Sequence, residues 1–394
     1  MIATESTRRI ATDIRRRLGS IPRAAVRSGM PPEWLGYRWL HSETLPEYFA
    51  RHGPGSGGAL ETVHPEAKAA NPLPCNVGRR EELPDDIGWW GFSCRDVPER
   101  TNGATLLATV PDCRIVFTDK FRGVFFPAIL NTDGRAFRLR EVAFRKPHAE
   151  ALRSDAPPVR MKRATWVLER VYYNYAHWVT AHLAKLALLK VRDALDGVVL
   201  PPAGNAFIDR SLEALGIDRR AFPVLDPTRA IEVDELTVID TDRFRPELLR
   251  PVREALAAPR RPHRRIYISR QQSNGRRLVN EDEVWALLEK AGFERVFMER
   301  LSFDEQVALM AETKVLLAPH GAGLTNMIFC PAGADIVEIA VPDFPNPNFY
   351  ALACAMDHRY WRITAESHGT GLAYEKGLRV DPLLLDQVLQ AAGC

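Results

Sequence analysis

Between residues 265 and 391, short apolar runs alternate with segments of helical periodicity, and this alternation constrains the fold more than any other feature of the chain. Residues 265–269 read as a buried strand, 281–291 as a helix ended by Gly292, and 295–298 as a second strand. A helix over 302–312 opens on Ser302 with Glu305 at the capping-box position. Strands at 315–318, 335–339 and 360–363 follow, with helices at 348–356 and 382–391 between and after them. Alternating strands and helices predict a parallel, doubly wound sheet, with ligands at the carboxyl ends of its strands.

Upstream the same pattern is weaker. Strands are expected at 164–167, 198–200, 221–224 and 235–239, and helices at 173–189, 205–215 and 246–256. The run Ala258-Pro259-Arg260-Arg261-Pro262 marks a boundary between two domains. Residues 20–100 are broken by glycine and proline, including Gly53-Pro54-Gly55-Ser56-Gly57-Gly58, which reads as a flexible loop. Pieces of β-pattern occupy 104–110, 114–118, 123–129 and 136–144, with a turn at Asn131-Thr132-Asp133-Gly134.

The 394 residues carry a formal charge of +3, with 46% hydrophobic and 26% charged side chains, which excludes disordered and fibrous classes. Seven arginines fall within the first 30 residues, against Glu5 and Asp13, so the remainder is slightly acidic. A nucleic-acid partner, which needs a broad basic surface, is not expected. Residues 5–19 place Ile10, Ile14 and Leu18 on one face among arginines. Such a helix either lies on an anionic membrane surface or docks on the domain with its arginines solvated. The six cysteines form no Cys-x-x-Cys pair and read as reduced thiols, pointing to the cytoplasm. No apolar run reaches membrane-spanning length, and the N-terminus lacks the apolar core of a signal peptide.

Four stretches could carry chemistry. In the first, the strand 315–318 runs into Pro319-His320-Gly321-Ala322-Gly323-Leu324-Thr325-Asn326. Its glycines let backbone N–H groups approach an anion at a helix start, and His320 adds a hydrogen bond or a charge; an ordinary strand-to-helix turn has the same glycines. An esterase reading fails, because the chain has no Gly-x-Ser-x-Gly elbow. In the second, Ile268-Ser269-Arg270 brings an arginine to the same sheet edge. That arginine either clamps a phosphate or pairs with Glu281 or Asp282. In the third, Tyr173-Asn174-Tyr175-Ala176-His177-Trp178 precedes His182, five residues after His177 and poorly spaced for a metal on a helix. His177 is either a core residue or a general base facing a cleft. In the fourth, Glu338 interrupts the apolar strand Ile336-Val337-Glu338-Ile339 and needs a partner, a ribose diol or an arginine.

Together the His-Gly-Ala-Gly-Leu-Thr-Asn block, the Pro331–Gly333 turn, Val-Glu-Ile at 337–339, Ile-Ser-Arg, Asn280-Glu281-Asp282 and the Tyr-Asn-Tyr-Ala-His-Trp stretch resemble glycosyltransferase family 61. The resemblance spans about 163–340. It implies an α/β fold of the GT-B type, with two Rossmann-like domains facing a central cleft and an irregular, β-containing N-terminal extension. Residues 31–257 would form the acceptor side and 258–394 the nucleotide-sugar side, with 1–30 a basic helix. It further implies an inverting transfer with no obligatory metal or other cofactor. Arg270, His320, Gly321, Ala322, Gly323, Leu324, Thr325, Asn326 and Glu338 would hold the donor, Glu338 near its ribose.

One departure concerns the acceptor side. The family commonly places an acid three residues after the tryptophan and a Pro-Arg further on, where this chain has Ala181 and Ala184-Lys185. His177 or His182 is then the expected base, with Asp119 and Asp133 as alternatives. The expected function is a bacterial-type glycosyltransferase of surface polysaccharide synthesis, acting on a glycan or lipid-linked acceptor in the cytoplasm or at the inner membrane face. A silent nucleotide-sugar binder and a sugar-nucleotide epimerase are the alternatives.

Overall fold

The computed structural model describes residues 41–394 apart from 54–56, 89, 121 and 122. The basic helix predicted over 5–19 and part of the glycine loop at 53–58 lie outside those residues. Within them the chain builds a mixed α/β structure on two main sheets.

The first sheet has seven strands: β1 (Ser42–Glu43), β2 (Ala59–His64), β3 (Thr105–Thr118), β4 (Phe126–Leu130), β5 (Ala136–Phe137), β6 (Val159–Trp166) and β7 (Ile231–Asp240). Their order is β1-β5-β4-β3-β7-β6, with β2 also paired to β3. Only β1–β5 and β6–β7 are parallel; the pairs that β3 makes with β2, β4 and β7 are antiparallel. The first half is therefore a mixed sheet rather than the parallel unit the sequence suggests. The sequence breaks β3 at Pro111-Asp112, yet the strand is continuous over 14 residues. On one side β2 pairs it as far as Thr109, and β4 takes over at Arg114. A proline with no N–H and Asp112, at φ 48°, thus fall where the partner on that side changes.

The parallel character expected after residue 163 survives at the edge of this sheet. Beyond β6, the predicted strands at 198–200 and 221–224 shrink to single parallel bridges, Thr165 with Val198 and Leu200 with Val224. The predicted helix over 173–189 runs from Tyr175 to Val191, but its middle, Trp178–Leu183, is a π-helical segment. Asn174 caps it, accepting from the N–H groups of Ala176 and His177. The helix Pro246–Leu256 buries Leu248, Leu249 and Val252, each contributing roughly 1.5–3 kcal/mol of apolar burial. Residues 257–263 then lead without helix or strand into the second sheet.

That sheet matches the alternation closely. It comprises β8 (Arg264–Ile268), β9 (Phe293–Val296), β10 (Thr313–Pro319), β11 (Asp335–Ala340) and β12 (Arg359–Thr364), all parallel, in the order β9-β8-β10-β11-β12. Period-two alternation divides its side chains. Tyr267, Leu317 and Val337 pack with Val284 and Leu288 of the helix Glu281–Lys290 on one face. Ile266, Leu316 and Ile336 face the opposite way, toward Phe303 and Met310 of the helix Phe303–Ala311. The chain leaves β8 along one face and returns to β10 along the other, so β8 and β10 flank the point where strand order reverses. In sheets of this kind, ligands bind in the crevice at that point.

One apolar cluster joins the halves, running from the first sheet through the helix Pro246–Leu256 to the inner face of the second sheet. Polar ties add to it. Tyr175 donates to Asn326 at 2.5 Å, Arg210 pairs with Asp304 at 2.6 Å, and the Tyr350 hydroxyl donates to the Pro72 carbonyl at 2.6 Å. The irregular segment around Cys75 and Asn76 hydrogen-bonds to β12, so part of the early chain packs on the second half. Among the described residues no helix is long and apolar enough to cross a membrane.

Candidate functional site

The register across the reversal point brings two predicted residues level with each other. Tyr267 lies opposite Leu317, so Arg270 and His320 emerge three residues later at the same height. Arg270 forms no pair with Glu281 or Asp282. Among the described residues its guanidinium donates to the carbonyls of Asn274 and Gly275. Beside it stands Arg276. Arg276 takes a left-handed backbone (φ 54°), and its buried Nε has no hydrogen-bond partner. Burial lowers the pKa of both guanidiniums, that of Arg270 to about 10 with Arg276 adding to the effect. Neither arginine has a carboxylate within ion-pair distance among the described residues. Glu299 and Glu338 act on them only from beyond that distance, so two neighbouring, partly buried cations keep N–H donors of the kind that suit an anion.

Gly321 completes this wall. It is extended (φ 169°), a conformation open to any residue, but a methyl group there would overlap the Arg270 guanidinium. At Gly323 an added Cβ would sit 3.2 Å from Ile268, tighter than ordinary contact. Both glycines thus leave room for a close neighbour, Arg270 at the first and Ile268 at the second. After Ala322 the chain forms a 3₁₀ helix, Ala322–Phe329, whose first N–H groups lie beside the arginines.

His320 is anchored from behind. Its Nδ1 bonds Glu338 Oε1 at 2.5 Å, while the Tyr360 hydroxyl donates to Glu338 Oε2 at 2.5 Å. Both carboxylate oxygens are thus engaged, and Glu338 is 1% exposed. This corrects the expectation that Glu338 meets a ribose: the acid orients His320 and leaves the imidazole Nε2 for the crevice. Leu324, Thr325 and Asn326 are also fully buried. Asn326 donates to Gln306 and to the Gly323 carbonyl while accepting from Tyr175, so it braces the loop and ties it to the first half. Of the predicted donor-side residues, Arg270, His320, Gly321, Ala322 and Gly323 gather at the carboxyl ends of β8 and β10. Leu324, Thr325, Asn326 and Glu338 support them from behind.

The two histidines of the first half are linked by the π-helical segment. A five-residue spacing faces outward on an α-helix but stacks on a π turn, and His182 Nδ1 donates to the His177 carbonyl at 3.0 Å. His182 Nε2 accepts from the Glu169 N–H at 2.9 Å, which fixes a neutral imidazole with 0% exposure. Burial lowers its pKa to about 4. His177 Nδ1 accepts from Arg243 at 3.2 Å, and burial with that neighbouring cation lowers its pKa to about 2. Each basic lone pair is occupied internally, so neither His177 nor His182 is placed to take a proton from an acceptor. Asp133, the other expectation, pairs with Arg51 and His52, and Asp119 is exposed at a turn.

Beneath them lies an ionic cluster that sequence reasoning missed. Glu169 is fully buried between Lys185 at 2.7 Å and Arg243 at 3.3 Å. Burial opposes its ionised form, but Lys185, Arg243 and His182 outweigh that cost and hold its pKa below the usual carboxylate range. The signal was present: an acid follows the apolar run 164–168, the same anomaly that singled out Glu338. Lys185 stands where the family pattern has arginine. Beyond Arg243 a pocket of about 710 Å³ opens, lined by Trp90, Phe92, Arg100, Arg140, Asp240 and Asp242 among others.

Residues 175–337, less than half of the chain, match the family model described as Glycosyltransferase 61. The chain is 41% identical over 91 residues to an EGF domain-specific O-linked N-acetylglucosamine transferase of Drosophila melanogaster, covering 22% of this chain and 17% of that protein. It is 34% identical over 145 residues to the β-1,2-xylosyltransferase XAX1 of Oryza sativa subsp. japonica, covering 34% and 25%. Identity to a β-1,2-xylosyltransferase of Arabidopsis thaliana is 27% over 151 residues, covering 33% and 26%. The chain thus spans a quarter or less of the first two relatives' length. Likeness to the crystal structure of the dodecameric glycosyltransferase TibC from Escherichia coli H10407 is slight, at 13% identity and a TM-score of 0.28 over 68% of this chain and 81% of that one.

Proposed function

We propose that this protein is a glycosyltransferase that moves a sugar from a nucleotide-sugar donor to a hydroxyl of a glycan acceptor. The observation that carries the reading is the pair Arg270 and Arg276, two half-buried cations with no acid at ion-pair distance among the described residues, set beside the carboxylate-backed His320 at the strand reversal of the family-matched region. On this reading the donor's diphosphate lies against those side chains and the first N–H groups of the helix Ala322–Phe329. As the glycosidic bond to the diphosphate breaks, charge grows on the leaving oxygens. The guanidiniums and His320, held in place by Glu338, stabilise that charge.

The same reading assigns the donor to residues 258–394 and the acceptor to the first half, in a GT-B-like arrangement with inversion at the anomeric carbon. It places the activity in the cytoplasm as part of surface polysaccharide synthesis, which the six free thiols support. The basic N-terminal segment is then a contact to the membrane surface. A second reading, a nucleotide-sugar binder without turnover, is favoured by one observation: both expected bases are internally occupied. Transfer or donor hydrolysis above the uncatalysed rate eliminates it.

The test is a thermal-shift series with UDP, GDP, ADP and dTDP. At least one is expected to stabilise the protein, and Arg270→Ala or His320→Ala should reduce that shift. If no nucleoside diphosphate stabilises it, the donor site is wrong. If both variants bind as tightly as the parent, the phosphates lie elsewhere.

A further inference from the structure

The pocket beyond Arg243 belongs to no residue set that the donor site uses, and its lining has a distinct chemistry. Its charges are largely matched. Arg80 pairs with Glu99 at 2.9 Å, Arg100 with Asp242 at 2.5 Å, and Arg140 reaches Asp242 at 3.4 Å. Asp96 accepts from the N–H and hydroxyl of Ser93. Asp240 is the exception. It accepts one hydrogen bond, from the Arg140 N–H at 3.1 Å, and no cation stands within ion-pair distance of it among the described residues. Trp90 and Phe92 supply aromatic surface at the same opening.

A phosphate would meet three arginines, Arg80, Arg100 and Arg140, against four acids, Asp96, Glu99, Asp240 and Asp242, the carboxylate of Asp240 having no cation within ion-pair distance among the described residues. A neutral, hydroxyl-rich ligand suits the lining better: it finds an acceptor oxygen for its hydroxyls, arginine N–H donors, and the Trp90 ring for the apolar face of a pyranose, while Phe92 is already covered by the Arg100 guanidinium at 4.2 Å. The location also suits the reaction. On one side Trp90 packs edge-on to Phe344 at 4.8 Å, and Phe344 to His320 at 6.0 Å. On the other, Asp240 and Arg140 adjoin Arg243, which holds His177. The pocket therefore lies between the crevice at His320 and the helix that carries the family motif.

We propose that this pocket is the acceptor subsite and takes a neutral saccharide unit, with Asp240 accepting from a sugar hydroxyl and Trp90 stacking on the ring. The proposal rests on the glycosyltransferase reading and names its acceptor class. It predicts that a lipid-linked acceptor would be held by its sugar and not by its phosphate.

The experiment is saturation-transfer NMR on the full chain, with methyl xyloside, glucoside, galactoside and mannoside as probes, and the matching sugar 1-phosphates beside them. A UDP and GDP thermal-shift series runs in parallel. At least one methyl glycoside should bind, remain bound when nucleotide is added, and weaken about ten-fold in both Trp90→Ala and Asp240→Asn. Far-UV circular dichroism of the variants should match the parent. The proposal is overturned if only the sugar phosphates bind, if no glycoside binds, or if both variants bind like the parent. A nucleotide shift without glycoside binding removes the acceptor subsite and leaves the donor reading standing. Glycoside binding without any nucleotide shift does the reverse.

Discussion

Replacing Glu169 by Gln isolates the cluster under the π-helical segment. The carboxylate is fully buried and lies 2.7 Å from Lys185 and 3.3 Å from Arg243, themselves 4% and 7% exposed at their side chains. A neutral amide of the same size leaves two buried cations without an anion. Removing one partner of a buried ion pair costs about 3–5 kcal/mol, because the remaining charge stays desolvated. Glu169→Gln is therefore expected to lose that amount in urea unfolding followed by tryptophan fluorescence, with an unchanged denaturant slope. Lys185→Met removes one of the stranded cations at similar volume, so the double variant should be more stable than Glu169→Gln alone. Nucleoside diphosphate binding should survive in both, since Arg270 and His320 are not in the cluster. A loss below about 1 kcal/mol, or a double variant no more stable than the single, would refute the account of Glu169 as the anion of a buried triad.

Gly321→Ala should displace the Arg270 guanidinium and weaken nucleoside diphosphate binding about ten-fold by calorimetry, with little loss of stability because the backbone there suits any residue; unchanged affinity would mean the loop does not position Arg270. Acid should destabilise the fold through its buried neutral histidines. His182 and His358 have folded pKa values lowered to about 4 by burial, against about 6.5 unfolded, so the unfolded chain binds protons first as pH falls. Their stabilisation is complete above about pH 6.5 and fades toward pH 4, roughly 2 kcal/mol each by pH 5. Urea unfolding at pH 7 and 5 measures it, and His182→Gln and His358→Gln variants should each flatten the dependence; an unchanged slope would exonerate them.

Much of the second half was legible in the sequence because each element there announces itself locally. Apolar runs and capped helices set the five strands, and the alternation within those strands already decided which side chains face which layer. Ser302 and Glu305 form the capping box as expected. Arg270 and His320 could be placed at one edge because both directly follow buried strands. The first half resisted for an equally physical reason. Strand β3 draws one long partner, β7, from more than 100 positions away, and Pro111-Asp112 looks like an end until β2 and β4 are seen to exchange there.

The chain's sequence alone thus determined the parallel sheet, the glycine-lined loop and the resemblance that the family match over 175–337 supports. Tertiary structure decided what each polar side chain does. Glu338 turned from a ligand contact into the anchor of His320, and His177 and His182 from bases into internal hydrogen-bond partners. Arg276 and Asp240 emerged as charged groups without ionic partners. A side chain's role depends on which lone pairs and protons its neighbours already occupy, and those neighbours come from distant parts of the chain. Local pattern fixes where a group sits on its element, but only packing fixes what is left for it to bind.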